Sequence, residues 1–314
     1  MHAACICVGS RMKVVVPDLI SPSYFPAIAA VRLGCLADRG IEAELDLHFP
    51  VTSAVEALRA GEFDLLAGAA HALFHAASDG GGVRLVAALS RHMYWFLVVR
   101  SDLGLGRDAP LDRLRGLRIG AAPGPDEGLI QMLADIGVGL DEVDVGPVPG
   151  TEGAGVSFGV TAADALADGR IDGFWANGMG AEVAVRNGVG TVVVDARRGD
   201  GPPAAQHYTF ASLMATEWMA RERPMELAAV RDGLVEAQRR LREDPNLATS
   251  VAEGLFPPME AELTATLIAR DAPFYQPEIR DEDVAALVEF ARRRGLTDRN
   301  VAVQDLVVPM GIGS

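Results

Sequence analysis

Lysine, cysteine and aromatic side chains are scarce in this chain of 314 residues, and the first two shortages argue against several functions. Lys13 is the only lysine among 28 basic residues, which argues against a Schiff-base enzyme and a lysine-dependent phosphate loop. Cys5, Cys7 and Cys35 give neither a disulfide framework nor a four-ligand zinc site. The net charge of −15 also makes nucleic acid and anionic membrane surfaces poor partners.

Long apolar runs are absent as well. None reaches the roughly 18 residues that a membrane span requires, so no membrane insertion is expected. The apolar piece 3–8 is too short for the core of a secretory signal, and no charged segment precedes it. As written, the sequence therefore predicts a cytoplasmic protein. Met12 opens the first clear strand, and a true start there would leave a periplasmic or extracellular location open.

What the chain does contain is an alternation of short apolar strands and helical segments. Such an order is typical of an α/β protein with mainly parallel sheets. The first strand is predicted at Lys13–Pro17. The capping residues Ser21-Pro22-Ser23 then predict a helix over Tyr24–Arg39.

The strand and helix pattern stops and restarts within the chain, which predicts two lobes. Two strands, Met93–Arg100 and His207–Ala215, are predicted to cross between them. The first lobe is expected to comprise 12–100 and 206–314, with the C-terminal helices packed on it. The second lobe is expected to comprise 101–205.

Several segments, in this order and spacing, carry a resemblance to a known family. They are the opening strand with Ser21-Pro22-Ser23-Tyr24-Phe25-Pro26, Ala57–Asp64 ahead of Ala67–Ala70, Leu117–Gly120 with its Pro123-Gly124 turn, and Ala165–Gly173. The chain resembles, from about Lys13 to Val308, the substrate-binding proteins of ABC importers for nitrate, sulfonates, taurine and thiamine precursors. This is the NMT1/THI5-like family. The resemblance implies a two-lobed α/β fold of the type II periplasmic-binding-protein kind, with a ligand cleft between the lobes.

In this family the ligand lies where strands end and helices begin, which is also the general rule for open α/β sheets. Unpaired N–H groups at helix starts are expected to donate to a polar or anionic ligand. Two tryptophans at strand ends, Trp95 and Trp175, are expected to stack on a planar ligand, with packing in the core as the alternative. The predicted ligand-contacting residues are Ser21, Tyr24, Ala70, His71, Trp95, Gly124, Ser157, Phe158, Trp175, Asn177 and Gly178.

Gly155-Val156-Ser157-Phe158-Gly159 matches the G-x-S-x-G pattern of hydrolases, in which a strand precedes the serine and a helix follows it. A helix is predicted to begin nearby with Thr161 as its N-cap, but 151–155 has little strand character. A nucleophile, a ligand-contacting turn and an ordinary turn therefore all remain open for this motif.

His71 and His75, at positions i and i+4, share one face of a predicted helix. Two histidines can bind zinc, but no third ligand at a suitable spacing is evident. We therefore predict no metal site. The open alternatives are a hydrogen-bonding role for His71 in the cleft and structural roles for both residues.

Together these observations predict a small-molecule binding protein of the importer-receptor type, with an ABC permease as a candidate partner and with no cofactor or catalytic residue. Its ligand is expected to be an organic acid or a planar heterocycle. The alternative is a cytoplasmic enzyme on the same scaffold, a decarboxylase or hydrolase of a small organic acid. A ligand-sensing module is a third class, for which no partner surface is evident.

Overall fold

Ten strands form two separate five-stranded sheets in the computed structural model, which describes residues 11–107, 109–151 and 157–309. The strands are β1 (Met12–Val16), β2 (Ala43–Leu47), β3 (Leu65–Ala69), β4 (Val83–Ser90), β5 (Phe96–Arg100), β6 (Arg118–Ala121), β7 (Asp144–Gly146), β8 (Gly173–Ala176), β9 (Gly190–Asp195) and β10 (Ala211–Thr216). The first sheet has the order β2-β1-β3-β10-β4 and the second β7-β6-β8-β5-β9. Each sheet is parallel except for one strand, β10 in the first and β5 in the second.

Helices flank both sheets, so the described chain forms two α/β lobes, as predicted. They are α1 (Phe25–Arg32), α2 (Val51–Ala60), α3 (Leu73–Ala76), α4 (Asp126–Asp135), α5 (Phe158–Ala167), α6 (Gly178–Arg186), α7 (Glu217–Glu222), α8 (Pro224–Glu243), α9 (Leu247–Ala252), α10 (Pro258–Asp271), α11 (Asp281–Arg293) and α12 (Val303–Leu306). We call the parts built on the first and second sheets the first and second lobes. In the first lobe α8 packs on α1 and β4, whereas α10 also contacts α6 of the second lobe. None of the helices in the described ranges is long and apolar enough to cross a membrane.

The opening strand and helix show how local sequence shapes the first lobe. Val14 and Val16 on one face of β1 and Val15 on the other are almost completely buried, as expected for a parallel strand that is covered on both faces. The helix predicted over Tyr24–Arg39 ends earlier, at Arg32. Gly34 follows with a φ of 73°, a left-handed conformation that terminates a helix.

The chain crosses between the lobes in two segments outside the strands and α-helices, 91–95 and 196–210. The first joins β4 to β5 and the second joins β9 to β10. Of the two strands predicted to cross, β5 pairs only within the second sheet and β10 only within the first. The second sheet therefore draws its strands from residues 96 to 195. His92, in the first crossing, takes a φ of 66°, which is uncommon for a residue with a side chain and turns the chain sharply.

Candidate functional site

A cavity of about 40 Å³ lies between the two lobes, at the ends of strands and the starts of helices. This is where ligands bind in open α/β sheets. The first lobe contributes the loop after β1 and the start of α2, and the second lobe contributes the loop after β6, the start of α5 and the junction of β8 with α6. The cavity is lined by Pro17, Asp18, Ser21, Tyr24, Phe49, Val51, Trp95, Ala122, Pro123, Pro125, Phe158, Trp175, Ala176 and Asn177.

Aromatic rings from both lobes form most of the cavity wall. Trp95 and Trp175 are almost completely buried, and their ring centroids are 6.1 Å apart. The Trp175 indole N–H donates to the carbonyl oxygen of Pro125 at 3.0 Å, which fixes the plane of the ring. Phe49 of the first lobe stacks on Phe158 of the second, with centroids 6.2 Å apart. A flat molecule would therefore meet a ring on several sides.

Asp18, in the loop after β1, brings a carboxylate into this aromatic surrounding. Its Oδ2 accepts a hydrogen bond from Asn177 Nδ2 at 2.7 Å, and its Oδ1 accepts one from the backbone N–H of Ile20 at 3.1 Å. Burial raises the pKa of Asp18 to about 6, and these two hydrogen bonds oppose that rise. Asp18 therefore changes charge just below neutral pH.

Asn177 joins a helix start to the opposite lobe. Its Oδ1 accepts from the backbone N–H groups of Met179 at 3.0 Å and Gly180 at 3.4 Å, and so caps α6. This leaves the Nδ2 group to donate across the cleft to Asp18. The same side chain thus orders the helix start and holds the two lobes together.

The hydroxyl of Ser21 is a second polar group on the first-lobe side of the cavity that can meet a bound molecule. Ser21 is 1% exposed, and its Oγ has no hydrogen-bond partner among the described residues. A buried hydroxyl normally has a partner, because leaving one unsatisfied destabilises the folded state. Ser21 is therefore available to a bound molecule. Tyr24, one turn further on, instead bonds its hydroxyl to that of Tyr94 at 2.7 Å.

Ser157 caps α5 rather than lining the cavity. The helix predicted to begin with Thr161 as N-cap starts instead at Phe158, and the Ser157 Oγ accepts from the Val160 N–H. Gly159 packs directly on Gly180, since a Cβ on Gly180 would lie 2.6 Å from the Gly159 carbonyl oxygen. Gly159, the last residue of the G-x-S-x-G motif, thus permits close packing of the starts of α5 and α6. Gly155 and Val156 lie outside the described residues.

His71 bridges the lobes behind the cavity and does not line it. One ring nitrogen, Nε2, donates to the Gly124 carbonyl oxygen at 2.9 Å, and Nδ1 accepts from the Thr209 hydroxyl at 3.0 Å. Burial lowers the pKa of His71 to about 3, so the ring is neutral at physiological pH. The backbone donor predicted at Ala70 is occupied as well, because the Ala70 N–H donates to the Phe210 carbonyl oxygen.

Gly124 and Gly178 were also expected to offer backbone donors. The Gly124 N–H donates instead to Asp126 Oδ1 at 2.8 Å. At Gly178 an added Cβ would lie 2.0 Å from Arg270 Nη2, so this position serves the close approach of an arginine. Of the predicted site residues, the structure thus brings six together at the cavity: Ser21, Tyr24, Trp95, Phe158, Trp175 and Asn177.

Asp18 is the residue that sequence reasoning missed. Of the described residues lining the cavity, none is Lys, Arg, His or Glu and Asp18 is the only Asp, so it is the only carboxylate or basic side chain in that wall. A single Asp after a strand is common in loops, and only its place between a first parallel strand and the Ser21 turn could have indicated a site. The described ranges also contain no group of three His, Cys, Asp or Glu residues that could hold a metal ion.

No family model matches this chain, and no curated protein is significantly similar to it. Solved structures are similar over nearly the whole chain. The alkanesulfonate-binding protein SsuA from Xanthomonas axonopodis pv. citri, bound to MOPS, has a TM-score of 0.71 at 15% identity, with 93% of this chain and 96% of that chain covered. The desulfurization enzyme DSZB has a TM-score of 0.62 at 19% identity, with 95% and 97% covered.

A Candida albicans protein described as having the generic periplasmic binding protein fold is similar as well. Its TM-score is 0.65 at 12% identity, with 96% of this chain and 98% of that chain covered. Identities this low establish the architecture alone, and membership of the NMT1/THI5-like subfamily stays a prediction. The two mixed sheets, their flanking helices and these likenesses together confirm that the chain has the two-lobed fold of the periplasmic binding proteins.

Proposed function

We propose that this chain is a small-molecule binding protein that closes its lobes on a planar ligand carrying a positive charge or strong hydrogen-bond donors. A protonated aromatic amine and an amino-substituted heterocycle are ligands of this class. The observation that carries the proposal is Asp18, a carboxylate set among aromatic rings with no cation beside it in the described cavity wall. Aromatic rings also favour a cation through their negative faces.

The hydrogen bonds of Asp18 leave room for a ligand. An ionised carboxylate has about four acceptor positions on its two oxygens. The Ile20 N–H and the Asn177 amide occupy one on each oxygen. The remaining positions can accept from an ammonium or amino group that enters the cavity, while the Ser21 hydroxyl supplies a further polar contact.

Of the two ligand classes expected from the sequence, the cavity favours the planar heterocycle over the organic acid. An organic acid would bring a second negative charge beside Asp18 without a positive partner, and a like charge in a buried site is unfavourable. The same argument applies to a sulfonate, the ligand class in the name of the SsuA neighbour. The ligand that we propose for this chain is therefore a cation or a neutral hydrogen-bond donor, whereas a sulfonate is an anion.

Closure follows from contacts that the two lobes share. Asp18 bonds to Asn177 and Phe49 stacks on Phe158, and each pair joins one lobe to the other beside the cavity. A ligand that touches both walls stabilises the closed arrangement over an open one. As in importer receptors, an ABC permease would then recognise the closed form, and the chain would act on the outer side of the membrane.

The enzyme alternative has less support from the geometry. Ser157, the serine of the hydrolase-like G-x-S-x-G motif, uses its Oγ to cap a helix. Ser21 Oγ has no hydrogen-bond partner among the described residues, so no base is held against it. A serine nucleophile needs an adjacent base to be activated.

Binding of a simple probe tests the proposal. We expect benzylamine, which combines one ring with one ammonium group, to bind the wild-type chain and to bind Asp18→Asn at least about tenfold more weakly, because a hydrogen bond to a charged group is lost. Titration calorimetry at pH 7.5 measures both. Asp46→Asn is the matched control, since that side chain is 58% exposed on β2 and should leave the affinity unchanged. Equal affinities for the wild type and Asp18→Asn would contradict the proposal.

The affinity should also depend on pH in a direction that the Asp18 pKa fixes. Above about pH 6 the side chain is charged and binds an ammonium group, whereas below that pH it gains a proton. We therefore expect the Kd for benzylamine to be constant between pH 7 and 8 and to rise about tenfold for each pH unit below 6. The same titration series on Asp18→Asn should show no such rise. An affinity that increases on acidification would indicate an anionic ligand site instead.

A further inference from the structure

A larger compartment of about 310 Å³ adjoins the cavity and shares Asp18 with it. It also lies between the lobes. Leu19 of the first lobe and Val160 of the second contribute to an apolar surface, on which Ser157, Thr161 and Glu260 place polar groups. Asp18 belongs to both walls, so the two spaces lie on either side of this carboxylate.

Glu260, in the first turn of α10, is the unusual member of this wall. The residue is only 6% exposed, and its Oε2 is buried without a hydrogen-bond partner in the described chain. None of the ion pairs between described residues includes Glu260. Thr264 bonds to the backbone carbonyl of Glu260 and so does not satisfy the carboxylate.

A carboxylate in the first turn commonly serves only to balance the helix dipole. That role does not account for Glu260, because an exposed side chain would serve it equally well and keep its hydration. Burying an acceptor without a donor destabilises the folded chain, and more so when the group is charged. The position is explained if a donor arrives with a bound molecule.

We infer that this compartment is a second subsite, which takes a second positively charged group of the ligand and pairs it with Glu260. The inference rests on the proposed function, since it extends the ligand that Asp18 binds. The ligand class becomes an aromatic diamine, with the ring among the tryptophans, one nitrogen at Asp18 and a short chain leading to a second nitrogen. Two acidic groups with no described basic residue on either wall complement such a double charge.

Matched amines test the second subsite. The probes are N-benzyl diamines whose nitrogens are joined by ethane, propane or butane chains, together with N-benzylbutylamine, which has a methyl group in place of the second ammonium of the propane diamine. We expect the best diamine to bind wild type about tenfold more tightly than this monoamine, because one charged hydrogen bond is added. In Glu260→Gln this gain should disappear. In Glu262→Gln, an exposed neighbour on the same helix, it should persist.

The remaining outcomes distinguish a failure of the second subsite from a failure of the Asp18 proposal. If the monoamine binds and no diamine binds more tightly, the second subsite is refuted and the Asp18 site stands. If the gain survives in Glu260→Gln, with the variant folded as judged by its thermal unfolding midpoint, Glu260 is not the partner and the inference fails. If neither amine binds wild type, the Asp18 proposal itself fails, and the second subsite fails with it.

Discussion

At pH 7.5 the Asp18→Asn variant should have a free energy of unfolding higher than that of the wild-type chain, by at most about 3 kcal/mol, since an asparagine has only one oxygen for the two donors that the aspartate satisfies. Burial raises the Asp18 pKa from 3.8 to about 6, so between these values the folded state holds a proton that the unfolded chain has released. Wild-type stability therefore falls as the pH rises through this range, by about 1.4 kcal/mol for each unit of pKa shift. Asparagine carries no charge and avoids this loss.

Urea unfolding at two pH values separates the stability lost by ionising Asp18 from a pH-independent effect of the substitution. The gain of Asp18→Asn over wild type should be present at pH 7.5 and shrink toward zero at about pH 3, below both pKa values, where the aspartate is protonated in the folded and the unfolded state. Asp46→Asn, on the exposed face of β2, should change stability by less than about 0.5 kcal/mol at either pH. A destabilised Asp18→Asn at pH 7.5 would show that the carboxylate supports the fold rather than the ligand.

Trp175→Ala should lower the free energy of unfolding by about 3–5 kcal/mol, the usual cost of removing a buried tryptophan. The side chain is completely buried at the end of β8, and its indole N–H bonds to the Pro125 carbonyl oxygen. The lost ring should also weaken binding of benzylamine by at least about tenfold, through the stacked contact and the poorer shape of the wall. Urea unfolding and calorimetry give the two values.

Two comparison variants sharpen the Trp175 experiment. Trp218→Ala, at a side chain that is 57% exposed on α7, should change stability by less than about 0.5 kcal/mol. Trp175→Phe keeps a ring but loses the N–H bond to Pro125 and part of the buried volume, so it should cost about 2 kcal/mol, less than alanine, and retain most of the affinity. An alanine variant as stable as wild type would be inconsistent with a ring packed in the interlobe core.

The sequence predicted the architecture because its signals are local. Apolar strands such as Met12–Val16, alternating with capped helices, reveal an α/β fold before any contact is known. The crossing strands could not be predicted in the same way. Whether Phe96–Arg100 pairs with β8 and β9 or with the first sheet is decided by residues far away in the chain, and a run of apolar side chains suits either sheet.

Part of the cavity wall was predictable, because large side chains stand beside strands. Trp95 and Trp175 stand out in a chain with only 6% aromatic residues, and both line the cavity together with Asn177, which follows the strand of Trp175. The acidic partners were not predictable. Asp18 and Glu260 are two of 43 acidic residues, and only the fold leaves one partly buried in the cleft and the other without a donor. The Ala70 N–H could not be recognised as occupied, because its acceptor, the Phe210 carbonyl oxygen, comes from a distant segment. The Gly124 acceptor, Asp126 Oδ1, is only two residues away and could have been recognised from the turn sequence.

The place of β10 between β3 and β4 determines the order in which the lobes can be completed during synthesis. All strands of the second sheet have been made once residue 195 has left the ribosome, whereas the first sheet lacks an inner strand until residue 216 follows. Until then β3 and β4 each present an unpaired, apolar edge of the kind that promotes aggregation. The lobe that begins first along the chain is therefore finished last, and the nascent protein is most exposed to misassembly during this interval.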